Sequence, residues 1–128
     1  MKYAILVNAN PDTSASAISA YRFVKAALEA GHSISRVFFY KDGIYHALHY
    51  RTAPDDECHL TQAWQTLAQA FELDLVVCVS AAQRRGLLNP DEAKRQGKQD
   101  DDLAAGFRIG GLGQWLEAML AADRVIEF

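Results

Sequence analysis

Two thiols stand out among the side chains able to do chemistry. Cys78 lies near the end of the apolar run Leu73-Asp74-Leu75-Val76-Val77-Cys78-Val79, just before Ser80-Ala81-Ala82-Gln83-Arg84-Arg85-Gly86, which reads as a short helix stopped by its glycine. In open parallel sheets, chemistry gathers outside the carboxyl ends of the strands. The backbone N–H groups from Ser80 through Ala81 to Gln83 would then point at a thiolate on Cys78, and the helix dipole favours negative charge there. Thiolate, not thiol, attacks a sulfur donor, and the same field would stabilise the S–S⁻ group that results. Arg84 and Arg85 follow one to two turns on and add positive charge. A cysteine in an apolar strand is also often an inert, small core residue, so position alone leaves both readings standing. Cys58, in Asp55-Asp56-Glu57-Cys58-His59, has acidic neighbours that disfavour its thiolate. Adjacency to His59 does not make a catalytic dyad.

Other constellations carry less. Gly110-Gly111-Leu112-Gly113 opens a helix and could cradle a phosphate. It lacks the Lys-Ser/Thr of a P-loop, so a tight turn or close packing is the expected role. Asn8 to Ser14 stands where flavodoxin-like domains hold phosphate but is not glycine-rich. His46 and His49 share an i, i+3 spacing without a third ligand nearby, so solvated or interface histidines are expected. No cofactor and no metal site is expected, since two cysteines without convergent histidines are a poor basis for zinc.

The elements that must position Cys78 follow from hydrophobic periodicity. Tyr3 to Val7 is a nearly continuous apolar run, as a strand buried on both faces requires. From Ser16 the period becomes helical, with Ile18, Tyr21, Phe23, Val24, Ala27 and Leu28 on one stripe and Gly31 as C-cap. Ile34 to Tyr40 is a second strand, completing a βαβ unit. Asp42-Gly43 marks a turn, and Ile44 to Glu57 is long enough for a functional loop. His59 to Phe71 reads as a helix and Leu73 to Val79 as the third strand. Asn89-Pro90-Asp91-Glu92 caps another short helix, and Gly97 to Asp102 is a polar, acidic loop. Phe107 to Ile109, Gln114 to Ala122 and Arg124 to Phe128 supply a strand, a helix and a closing strand. The alternation predicts one domain over residues 1–128, a three-layer α/β/α sandwich on a mostly parallel sheet of about five strands.

With 128 residues, 50% hydrophobic and 23% charged, the chain can pack a core and is not a disordered sequence. Its net charge of −3 argues against a dedicated nucleic-acid surface, so no direct nucleic-acid binding is expected. No run approaches the roughly 18 apolar residues of a membrane span, and no signal peptide is recognised. A cytoplasmic protein is expected, in a compartment where thiols stay reduced. The aromatic set Phe38, Phe39, Tyr40, Tyr45 and Tyr50 is more than one small sheet needs, which predicts a subunit interface.

The sequence resembles the DsrE-like sulfurtransferase family, and within it the TusD-type subunits of TusBCD sulfur-relay complexes. The resemblance spans the whole chain. It is carried by Val37-Phe38-Phe39-Tyr40 with Asp42-Gly43-Ile44-Tyr45, by Val77-Cys78-Val79-Ser80-Ala81-Ala82-Gln83-Arg84-Arg85-Gly86, by Gly110-Gly111-Leu112-Gly113 and by Ala122-Asp123-Arg124-Val125-Ile126-Glu127-Phe128. The block around Cys78 is the most specific of these. Cys58 and the pair Gly110-Gly111 depart from the family pattern. The resemblance implies that Cys78 is the active cysteine and accepts sulfane sulfur as a persulfide. It further implies a heterohexamer with TusB- and TusC-like subunits, a TusA-like sulfur donor and a TusE-like acceptor, in a relay ending in 2-thiouridine at the tRNA wobble position. A non-catalytic subunit of a related complex, and a DsrE-type protein of dissimilatory sulfur oxidation, are the competing readings.

Overall fold

The computed structural model describes all residues, 1–128. Five strands and five helices follow in the order β1 (Lys2–Val7), α1 (Ala15–Glu29), β2 (Ser33–Phe39), α2 (Leu60–Phe71), β3 (Leu75–Cys78), α3 (Val79–Arg84), α4 (Pro90–Arg95), β4 (Phe107–Gly110), α5 (Leu112–Ala121) and β5 (Arg124–Glu127). A 3-10 turn over Lys41–Ala47 occupies part of the segment expected to be an irregular loop. The sheet order is β4-β3-β2-β1-β5, and every pairing is parallel.

Strand alternation explains the layers. Phe38 and Phe39 are neighbours in β2, so their side chains leave opposite faces. Phe39 meets Trp64 of α2 edge-on, with ring centroids 5.5 Å apart, while Phe38 meets Trp115 of α5 at 6.0 Å. Helices therefore cover both faces, as the right-handed crossover rule requires for strands that step one way and then return past the first. The central strands β1, β2 and β3 carry the apolar runs and hold the fully buried Ile5, Val37, Val76 and Val77. The edge strands β4 and β5 are only four residues long and present Arg108, Arg124 and Glu127, which discourages edge-to-edge pairing.

Sequence expectation and structure part company at the aromatics and at one histidine. Phe38 and Phe39 are fully buried core residues rather than an exposed patch, because both faces of β2 are covered. Of that aromatic set Tyr50 alone is largely exposed, and a second exposed apolar surface lies on α5, where Leu112, Leu116 and Leu120 are 51%, 54% and 79% exposed. Their i, i+4, i+8 spacing sets them on one stripe. His46, expected in solvent or at an interface, is fully buried against Phe39 and Trp64. Its Nε2–H donates to the Ala9 carbonyl at 3.1 Å, and Nδ1 has no partner.

Burial of this imidazole has a pH consequence. Desolvation pushes His46 down from 6.5 to about 4; the Ala9 carbonyl and Asp12 oppose the shift, and Arg51 adds to it. The unfolded chain takes up the proton first, so stability is complete above pH 6.5 and is lost as pH falls toward 4. A loss of about 3 kcal/mol across that window is expected from the size of the shift. Urea unfolding at several pH values checks it. His46→Gln should flatten the curve over the same window, whatever it costs at neutral pH.

Candidate functional site

Cys78 is the last residue of β3 and the N-cap of α3, with φ −62° and ψ 124°. The chain leaves an extended strand and enters a helix directly at this residue, so the thiol sits at the carboxyl edge of the sheet. It is 1% exposed. Its neighbour on one side is Gly110, paired Cα to Cα across β3 and β4. On the other side β2 ends at Phe39, and Tyr40 caps the 3-10 turn. Cys58 is exposed in the stretch before α2, and no disulfide joins the two thiols.

The residues expected to surround the thiolate are distributed unequally. Ser80 and Ala81 stand in the first turn of α3, with Ser80 exposed and Ala81 buried. Arg84 is exposed at the end of that helix. Arg85 donates from Nη1 to the Ala81 carbonyl and from Nε to Asp42, each at 3.1 Å. The Asp42 carboxylate offsets the Arg85 charge and ties α3 to the 3-10 turn. That turn packs on β3 and α3, so Lys41–Ala47 and α3 together close over the strand end. Asp42 was legible in the sequence only as half of a turn signal.

Gly43 explains how the turn comes so near. A Cβ at this residue would lie 1.9 Å from the Val7 carbonyl oxygen, so only glycine permits the approach of the turn to the end of β1. Gly110 makes a second close approach: a Cβ there would meet the Gln114 carboxamide nitrogen at 2.5 Å and Val76 Cγ1 at 2.9 Å. Within the run at 110–113 close packing thus accounts for Gly110, while Gly111 and Gly113 have open space around them.

The segment after the 3-10 turn and the acidic loop over 97–102 meet each other. Leu48 and Leu103 form an isolated antiparallel bridge. His49 N–H donates to the Asp102 carbonyl and Ala104 N–H to the Ala47 carbonyl, both at 2.8 Å. Tyr50 donates its hydroxyl to Asp100, which holds that carboxyl below the usual range and raises the phenol. A cavity of about 410 Å³ opens between Asp12, Tyr45, Tyr50, Arg51 and Asp102. Arg51 pairs with Asp12, while its Nε and Nη1 are buried without partners. No group of three or more His, Cys, Asp or Glu side chains is arranged to hold a metal ion.

The DsrE/DsrF-like family profile matches residues 1–128. The chain belongs to the DsrE/DsrF-like family. The DsrE protein of Allochromatium vinosum is 48% identical over 128 residues, covering 100% of this chain and 98% of that protein. A Vibrio vulnificus relative named Sulfurtransferase TusD homolog is 43% identical, again over 100% of this chain and 98% of its own. The fold agrees with the crystal structure of the ychN protein of E. coli, at a TM-score of 0.77 and 21% identity, covering 100% and 99% of the two chains.

Proposed function

We propose that this chain is a sulfurtransferase subunit that carries sulfane sulfur as a persulfide on Cys78 and passes it on in a relay toward tRNA wobble-uridine 2-thiolation. The observation that carries the reading is the Cys78 thiol at the carboxyl edge of a parallel sheet, where strand becomes helix. Full-length relatives named as TusD sulfurtransferases support the reaction class.

The step conserves electrons. The Cys78 thiolate attacks the outer sulfur of a donor persulfide. That S–S bond breaks, a new S–S bond forms on Cys78, and the donor cysteine leaves as a thiolate. Release to the acceptor repeats the exchange in reverse. The first-turn N–H groups of Ser80 and Ala81 stabilise the anion, Arg84 adds an unpaired positive charge, and Arg85 acts by holding α3 on the 3-10 turn. Burial protects the labile persulfide from stray thiols. Since the thiol is 1% exposed, exchange with a carrier requires local opening at the strand end.

The subunit acts with TusB- and TusC-like partners, receives sulfur from a TusA-like donor and gives it to a TusE-like acceptor in the cytoplasm. The leucine stripe on α5 is apolar surface of the kind that subunit interfaces cover. No helix is long and apolar enough to cross a membrane. The joined loops, with Asp100, Asp101 and Asp102, offer negative charge to a basic carrier surface. The 48% identity to the Allochromatium vinosum DsrE protein favours a second reading, the same chemistry in dissimilatory sulfur oxidation.

The assembled complex, incubated with cysteine, a cysteine desulfurase and the carrier, should take up about one labelled sulfur per chain, all released by a thiol reductant. Absence of reductant-labile sulfur would overturn the proposal. Replacing Asp100, Asp101 and Asp102 by Asn should slow loading at low salt and flatten its salt dependence. An unchanged rate and slope would assign the aspartates to solvation alone.

A further inference from the structure

We propose that Gln114 binds the sulfur carried by Cys78, its carboxamide N–H donating to the terminal sulfur of the persulfide. The inference rests on the reading of Cys78 given above and adds a residue to it. It starts from register. Cys78 pairs with Gly110 in adjacent parallel strands, so their Cα atoms lie about 4.8 Å apart and their side-chain directions leave the same face. Val76, two residues before Cys78, shares that face. The position a Gly110 Cβ would take falls 2.9 Å from Val76 Cγ1, as same-face geometry demands.

That vacant position holds the end of Gln114. Its Nε2 lies 2.5 Å and its Cδ 2.7 Å from the Cβ that Gly110 lacks. The carboxamide therefore stands in the next side-chain slot beside Cys78, one strand spacing away, which is within reach of a sulfur extending beyond Sγ. An alanine at position 110 would exclude it. The backbone of Gln114 is fixed independently: its N–H donates to the Gly111 carbonyl at 3.0 Å, and its carbonyl accepts from Arg36 Nη1 at 2.7 Å. Arg36 is in turn held by Asp74 at 2.6 Å. The side-chain amide takes no part in these bonds, so its two N–H donors are left for an anion. A persulfide presents that anion at the correct end of the site, and a neutral donor stabilises it without the cost of burying a second charge.

The test uses the assembled complex loaded with labelled sulfur, with loss of label from Cys78 followed in the absence of acceptor. Gln114→Ala should shorten the lifetime of the label about tenfold, the worth of a hydrogen bond to a charged group. Gln114→Glu should shorten it further, because a carboxylate repels the anion. A packing role would give the opposite order, since Glu keeps the volume that Ala removes. Gly110→Ala, which displaces the carboxamide, should reproduce the Gln114→Ala lifetime. Unfolding curves for both Gln114 variants should stay close to that of the parent, because the backbone bonds are retained. Equal lifetimes in parent and Gln114→Ala, or a Glu variant that outlasts the Ala variant, would overturn this inference while leaving Cys78 as the carrier. A parent complex with no label on Cys78 would overturn the reading of Cys78 and this inference with it.

Discussion

Cys78→Ser should abolish sulfur transfer, lowering the rate at least about a thousandfold, as removal of a nucleophile does. The serine hydroxyl forms no persulfide, and nothing else in the chain takes the place of the thiol at the strand end. Cys58→Ser should transfer sulfur at close to the parent rate, since Cys58 lies in the exposed stretch before α2 and not at the strand–helix junction that holds Cys78. The fold should survive both changes. At Cys78 the cost is that of burying a hydroxyl in place of a thiol, about 1–3 kcal/mol, which circular dichroism and urea unfolding would register without loss of the folded state. Transfer persisting in Cys78→Ser would contradict the assignment.

Gly43→Ala should be the most damaging small substitution to stability. The added methyl would lie 1.9 Å from the Val7 carbonyl oxygen and 2.8 Å from its carbon, and both are backbone atoms that cannot rotate away. The same carbonyl accepts from Tyr40 N–H at 2.9 Å, so relief of the clash strains the junction of β1, β2 and the 3-10 turn. A loss of about 3 kcal/mol or more is expected, the upper range for overpacking, read as a urea midpoint lowered by about 1–3 M. Gly113→Ala provides the contrast. Nothing lies within 4 Å of its added methyl and the residue is helical in α5, so it should gain about 0.5–1 kcal/mol. Because the 3-10 turn closes over the strand end, Gly43→Ala should also impair loading of Cys78. An unfolding midpoint equal to that of the parent would show that the turn does not depend on this approach.

The contrast between these glycines marks how far the sequence could be read. Strand and helix identities were legible because Tyr3 to Val7 and Leu75 to Cys78 are unbroken apolar runs, while α1 and α2 keep a helical period. Cys78 was legible as a strand-end thiol for the same reason, with α3 following it directly. Contacts that join distant segments were not. Asp42-Gly43 has the composition of a turn, but nothing local says that Val7 will lie against it. Gly110 has the composition of a loop, yet it is the end of β4, and a glycine inside a strand signals close approach only once the strand is known. His46 looked polar enough for solvent because its burial is set by Phe39 and Trp64, which reach it from other elements. The aromatic run Phe38-Phe39 looks surplus for one sheet face, but a sheet covered on both faces uses both residues, one against each helical layer. The position of Arg85 one to two turns past Ser80 suits a charge for the thiolate, but its Nε faces Asp42, a partner 43 residues away in the chain.

The most direct test of the account is to find the sulfur. The complex is loaded from a carrier persulfide, alkylated and digested, and the two cysteine peptides are weighed. The account predicts a gain of about 32 Da, one sulfur atom on the thiol ladder, on the peptide bearing Cys78 and none on the peptide bearing Cys58. A gain confined to Cys58, or found on neither peptide while transfer proceeds, would contradict it.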